Sequence, residues 1–505
     1  MNQRKAGALL SYLQIILTNL ISLLYTPYML RILGQSEYGI YGTAASFTAY
    51  LTVLNFGVAG AYIRFHAKKK AEGDVLGEKQ LNGMFLILFG ILAGLVLLAG
   101  TGLLFFAEKL VQNTYTPQQL WKLRAIIAIM TVSIATSFVC NAVMMALQAY
   151  EKYIAIRVVL LICCIVTPVA NLIAFQLGGR SVAITLITYC INVAAYLFFY
   201  FYARRAIHLR FCFRGLRWAE MKQVFAFSGF LFLNAVTDQI TFSTDNVILS
   251  AYSGPAVAAV YTVGAQFMGY FQNFLSSISV VFTPKINQMV AQQAETKELN
   301  SLFVRVGRLQ FYVAALALIG YLSVGRAFIC LWAGDNYATS FSVGLILILS
   351  VFVCGIQSIA MEIQKAKNCH KARSVVLFLV SVGNVLLTIP FCRWWGPVGA
   401  ALATLICMVL GTGVFLNFSY AKTTGLSMWN FWKEIARILP GCILPAGAGV
   451  LIRWFLPMQT FSGVLLAALV IAAVFALSCW CFSMNAYEKD LIRKPLHKMF
   501  ARKRG

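Results

Sequence analysis

Apolar residues run in blocks of about 20 to 28, one after another, from residue 7 to residue 483, with short polar gaps between them. An α-helix rises about 1.5 Å per residue, so about 20 residues cross a hydrocarbon core of about 30 Å. In lipid every backbone N–H and C=O needs a partner within the chain, and a helix provides one by itself. A chain written this way folds as an all-α polytopic membrane protein. Its balance agrees: 60% of residues are hydrophobic and 11% charged, where a soluble protein carries about 25% charged.

Fourteen blocks can be counted, starting with 7–30 and 38–62 and ending with 374–392, 397–420, 437–456 and 460–483. Of the 41 Lys and Arg residues, 33 fall in one alternating set of gaps and flanks and 8 in the other. By the positive-inside rule the richer set is cytoplasmic. The expectation is therefore fourteen transmembrane helices with both termini cytoplasmic, in the cell membrane, the first helix being retained rather than cleaved. The net charge of +25 then marks topology and contact with anionic membrane lipids, not nucleic acid.

An internal repeat divides the chain. Gly34 to Tyr41 matches Gly254 to Tyr261 at an offset of 220, and Gly178, Ala183 and Tyr202 match Gly396, Ala401 and Tyr420 at 218. Six helices separate the copies, an even number, so the halves are parallel repeats about an axis along the membrane normal. The expected plan is a first six-helix lobe over 1–220, a second over 221–421, and two further helices with a basic tail over 422–505.

The chemistry that stands out lies in the apolar block that opens the second lobe. Asn234, Asp238, Thr241 and Asp245 occur at i, i+4, i+7 and i+11, on one helix face. Carboxylates in a membrane helix cost several kcal/mol each against lipid and mark cavities or polar networks. The repeat maps Asn234, Asp238 and Asp245 onto Gln14, Thr18 and Tyr25 of the first block. Two equivalent polar stripes suit a central cavity, and the acids suit coupling to H+ or Na+.

Arg31, Arg64, Arg157 and Arg373 end helices, where they either snorkel to the interface or meet a phosphate-bearing headgroup. Pro27 and Pro168 fall inside blocks and are candidate kinks. The four histidines (His66, His208, His370 and His497) lie in basic gaps and read as solvated surface; the 13 cysteines show no metal-ligand spacing. There is no nucleotide phosphate loop, no metal-hydrolase motif and no nucleophile elbow. No cofactor is expected, and an enzyme is disfavoured.

The run Tyr28-Met-Leu-Arg31-Ile-Leu-Gly34-Gln-Ser-Glu37-Tyr-Gly39-Ile-Tyr41-Gly resembles the first outer turn of the O-antigen and capsule repeat-unit flippases. These belong to the multidrug/oligosaccharidyl-lipid/polysaccharide exporter superfamily. Leu331-Trp332-Ala-Gly334-Asp-Asn-Tyr337 and Gly396-Pro-Val-Gly399-Ala-Ala-Leu-Ala are similar to later turns of the same proteins. The resemblance implies two six-helix bundles working by alternating access. It also implies an undecaprenyl-diphosphate-linked oligosaccharide as substrate, an ion gradient or membrane potential as drive, and polysaccharide-assembly machinery as partner. A multidrug or cation antiporter, or a lipid II flippase, of the same superfamily are the other readings.

Overall fold

A computed structural model describes residues 3–55, 59–215, 218–367, 369, 371–455, 458–491 and 493; some side chains within its helices, Asn234 among them, lie outside the described set. Among the described residues every regular element is a helix. In order come α1 (Gln3–Thr52), α2 (Ala59–Ala71), α3 (Val75–Val111), α4 (Pro117–Ala149), α5 (Tyr153–Gln176), α6 (Ser181–Ala206), α7 (Trp218–Ser253) and α8 (Pro255–Ala291). There follow α9 (Thr296–Ala333), α10 (Thr339–Ile356), α11 (Ser358–Ala366), α12 (Lys371–Met408), α13 (Leu416–Thr424), α14 (Met428–Ala436), α15 (Leu439–Phe455) and α16 (Phe461–Phe482).

Blocks 7–30 and 38–62 were expected as two helices. The structure draws α1 through both, broken at Gly34, whose φ of 74° and ψ of 168° leave the helical region. Block 38–62 also stops early, at a 3-10 turn over Val53–Asn55, and α2 then begins. Likewise α12 runs through the expected gap after residue 392 and breaks at Gly396, with φ 57° and ψ −134°. Space is open beside both glycines, but their positive φ strains any residue that carries a side chain, so glycine is favoured there. Their repeat partners Gly254 (φ 80°) and Gly178 (φ 82°) take the same hand. Among the described residues nine stretches are long and apolar enough to cross a membrane, ten if α14 and α15, bent by 44°, count as one. Two of the nine, Leu13–Asn55 with 43 residues and Arg373–Thr424 with 52, hold those glycine breaks and are about twice the length of one crossing.

Local signals explain several helix starts. Thr116 and Gln119 form a reciprocal capping box ahead of Pro117, satisfying amides that a helix start leaves open. Asp74 accepts the Gly77 amide at the start of α3, and Thr460 the Gly463 amide at the start of α16.

The chain divides into two compact units. Unit 1 comprises residues 1–262 and 381–400. Its larger core gathers Tyr62, Phe85, Phe89, Phe138, Leu147 and Phe199. A smaller core of Ile40, Phe47, Ile126 and Val247 joins α1, α4 and α7. Glu37, buried, ties three helices together: Lys122 Nζ lies at 2.9 Å, and the Ser181 amide and hydroxyl donate at 3.1 and 2.7 Å. The outer helix surfaces are bare and apolar, with Phe105 76% and Phe201 66% exposed, a surface that suits hydrocarbon.

Unit 2 comprises residues 263–380 and 401–505. Here α9 packs against α10, α14, α15 and α16. Arg308 on α9 is 3% exposed and Glu488, beyond α16, also 3%. The guanidinium donates to both Glu488 oxygens at 2.6 and 2.9 Å, to the Ser483 carbonyl at 2.9 Å, and to the Glu434 carbonyl at 2.9 Å. Glu434 in turn pairs with Arg437. The cluster locks α14 and the segment after α16 onto α9.

Candidate functional site

The polar face of α7 resolves into two environments. Asp238 is exposed, while Thr241 is 4% and Asp245 0% exposed. Asp245 Oδ2 accepts the Tyr261 hydroxyl at 2.6 Å. Its Oδ1 accepts Thr388 Oγ1 at 2.9 Å and Asn384 Nδ2 at 3.4 Å. Asn384 also donates to the Thr241 carbonyl at 3.2 Å. These groups come from α7, the first turns of α8 and the part of α12 that belongs to unit 1. A buried carboxylate is tolerable only with such donors around it. What they build is a compact centre lined by oxygen: a carboxylate, two hydroxyls, an amide and a backbone carbonyl. That set suits a proton or a small hard cation.

Gln14, Thr18 and Tyr25 lie along α5. Gln14 Oε1 accepts Arg157 Nη1 at 3.1 Å, Thr18 Oγ1 sits 3.4 Å from Cys164 Sγ, and Tyr25 stacks on Phe175 with centroids 6.5 Å apart. One stripe candidate is thus joined to one headgroup candidate, Arg157. Arg31 and Arg64 are exposed. Arg373 is half-buried, and its Nε has no hydrogen-bond partner among the described residues. The side chain of Asn234 is outside the described residues.

A polar seam joins the second arm of α1 to α7 and the start of α8, all within unit 1. Asn246 Nδ2 donates to Ser46 Oγ at 2.9 Å, and Thr43 Oγ1 to Ser250 Oγ at 3.0 Å. Tyr115 bonds the same Ser250 hydroxyl. A Cβ on Gly39 would fall 1.8 Å from the Pro255 carbonyl oxygen, and one on Gly42 would fall 2.8 Å from Thr262 Oγ1. The helices touch backbone to backbone, held by weak neutral hydrogen bonds. Such a contact can part without stranding a charge.

Sequence reasoning passed over Tyr261, Asn384 and Thr388. Tyr261 stood in the repeat without a role, and Asn384 and Thr388 sit at i and i+4 in an apolar block, a signal that was available. It also misplaced His66, expected as solvated surface and found 1% exposed. Tyr62, His66 and Lys69, at i, i+4 and i+7, form the buried face of α2 with exposures of 0%, 1% and 8%.

Residues 5–290, more than half of the chain, match the family described as "Polysaccharide biosynthesis protein". The chain belongs to that family and is a multi-pass cell-membrane protein. It is 19% identical over 501 residues to the uncharacterized membrane protein EpsK of Bacillus subtilis (strain 168), covering 96% of each chain. A solved structure of "Lipid II flippase MurJ, inward closed conformation" is similar with a TM-score of 0.75 and 17% identity, covering 96% of this chain and 99% of that one. An inward-facing multidrug resistance MATE family transporter of the MOP superfamily follows at 0.66 and 12%, covering 81% of this chain and 95% of that one. At those identities the solved structures speak for the fold.

Proposed function

We propose that this protein moves a polyprenyl-diphosphate-linked oligosaccharide from the inner to the outer leaflet by alternating access, driven by a cation or proton taken up at Asp245. In this reading fourteen helices cross the membrane as a 6+6+2 plan with both termini cytoplasmic. The seam along α1, α7 and α8 parts once per cycle. Arg31, Arg64, Arg157 and Arg373 are the candidates to meet the diphosphate, and Gln14, Thr18, Tyr25, Asn234, Asp238 and Thr241 to line the path. Asp245 carries the proposal: a fully buried carboxylate joined to Tyr261, Asn384 and Thr388 links the charge state of one centre to the packing of three helices.

The test is a depletion strain assayed for lipid-linked oligosaccharide on the inner leaflet. Accumulation that wild type clears and Asp238→Asn/Asp245→Asn does not is the expected result; clearance by the double variant at the wild-type rate would leave the stripe as packing. The MurJ-like fold favours lipid II as a second substrate reading, and complementation of a lipid II flippase deficiency would decide for it. Drug resistance conferred on a sensitised host would point to the antiporter reading. The gate is tested by joining Ser46→Cys to Asn246→Cys with a short thiol cross-linker: export should stop, and return on release of the link.

A further inference from the structure

We propose that the first turns of α9, in unit 2, form a pocket for the phosphate of an anionic lipid headgroup. Lys297, Ser301, Arg305 and Arg308 fall at i, i+4, i+8 and i+11, on one face of the helix. With Asn430 and Tyr487 they line a cavity of about 420 Å³.

The charges in it divide in two. Arg308, at the floor, already meets Glu488 and Glu434, and Glu434 meets Arg437, so the floor is matched. At the rim neither Lys297 nor Arg305 makes an ion pair among the described residues. The Arg305 guanidinium is held 4.4 Å over the Tyr487 ring; a cation–π contact orients the fork without cancelling its charge. Ser301 and Asn430 add a hydroxyl and an amide, and the α9 N-terminus adds its dipole. An oriented guanidinium beside an ammonium, with neutral donors, is the chemistry of phosphate recognition. A neighbouring cavity of about 310 Å³ shares Lys297, Ser301 and Arg305 but adds Glu295 and Glu298, which would repel a second phosphate. The pocket therefore takes one.

The source of the phosphate is read from α14, which supplies Asn430. That helix buries Met428, Phe431 and Ile435, with Phe431 stacked on Phe303 at 4.3 Å. Its other side shows Lys433 and Trp429, the latter 84% exposed. An amphipathic helix with an outward Trp and Lys lies in a membrane interface. A lipid beside it can place its chains in the bilayer and its phosphate between Lys297 and Arg305. This rests on a cytoplasmic placement of the link between α8 and α9, which the transport reading shares.

The experiment uses the full chain, delipidated in detergent and titrated with phosphatidylglycerol, phosphatidylcholine or inorganic phosphate, read by native mass spectrometry and melting midpoint. Phosphatidylglycerol should bind and raise the midpoint where phosphatidylcholine does not. Lys297→Gln/Arg305→Gln should weaken that binding at least about tenfold, the loss expected of two charge-assisted contacts. Lys68→Gln/Lys422→Gln, exposed and outside the cavity, should leave it intact. The exchanged pair Lys297→Arg/Arg305→Lys should keep most of it, separating lost charge from lost fold. Equal losses in both Gln pairs would mean diffuse surface charge and overturn the pocket. Inorganic phosphate reproducing the full effect would overturn the lipid as its source. No transport is measured, so failure of the flippase reading and failure of the pocket remain distinguishable.

Discussion

Two buried carboxylates, Asp245 of unit 1 and Glu488 of unit 2, are held in opposite ways. In unit 2, Glu488 meets Arg308 through both oxygens, and Glu434 shares the same guanidinium. Charge is answered by charge, and the groups bridge helices that have no reason to separate. In unit 1, Asp245 meets Tyr261, Thr388 and Asn384, donors that are neutral and can rotate or reorient. A matched ion cluster is hard to open, because parting it leaves a charge buried and unanswered. A carboxylate among hydroxyls and an amide can exchange a proton or a cation for one of those bonds. The first arrangement serves assembly; the second can serve a cycle.

The comparison breaks first at Arg308. Arg308→Met should destabilise the protein by about 3–5 kcal/mol, because Glu488 is left buried without its cation. Replacing Arg308 and Glu488 together by apolar residues of similar volume should recover much of that loss. Melting midpoints of the purified variants check both. A single variant as stable as wild type would show that unit 2 is not held by this cluster.

Asp245→Asn should cost less in stability, about 1–3 kcal/mol, because the amide keeps an acceptor but turns one oxygen into a donor against Tyr261 or Thr388. Export should nevertheless fall at least tenfold, taking roughly 1.4 kcal/mol of lost coupling as the least effect of removing the titrating group. Dependence on H+ or Na+ should disappear with it. The sharper form is the pair of measurements: unit 2 variants lose fold and export together, and Asp245→Asn loses export with the fold largely kept. An Asp245→Asn protein that exports normally on an intact ion gradient would make the two carboxylates equivalent after all.

The contrast also shows what a sequence can carry. Block length and the placement of Lys and Arg follow from the bilayer, a solvent that acts on each segment separately, so a helical membrane chain is legible from the blocks alone. Gly34 and Gly396 announced turns but not that α1 and α12 would run on through them, since that depends on packing beyond the turn. Asp245 was legible because an acid in an apolar block is costly wherever it points. Its partners were not, because Asn384 and Thr388 can bond within their own helix and nothing local ties them to a residue about 140 positions away. In the sequence Arg308 is one of the 33 Lys and Arg residues of the richer set of gaps and flanks. Its burial is decided by Glu488, which only the fold of unit 2 brings near.

The smallest expected effect concerns His66, where unit 1 buries a group that can change its charge. Its Nε2 is 3.9 Å from Glu78 Oε2, too far for a hydrogen bond, and Tyr150 donates to that same oxygen at 2.6 Å. Tyr62 stacks on the imidazole with centroids 5.7 Å apart, and Tyr150 meets it edge-on at 4.8 Å. Burial holds the His66 pKa below its ordinary 6.5; Glu78 pulls it up and Lys70 pushes it down again. The unfolded chain therefore binds a proton more readily than the folded one. Stability is full above the ordinary value and falls as pH drops through it toward the lowered one. Between pH 7.5 and pH 5.5 the wild-type melting midpoint should fall, and amide exchange over α2, corrected for the intrinsic pH effect, should rise. In His66→Gln, neutral at both values, the α2 exchange should not change with pH. If that variant follows the wild-type profile, the acid sensitivity belongs to another group, and unit 1 holds His66 as rigidly as unit 2 holds Arg308.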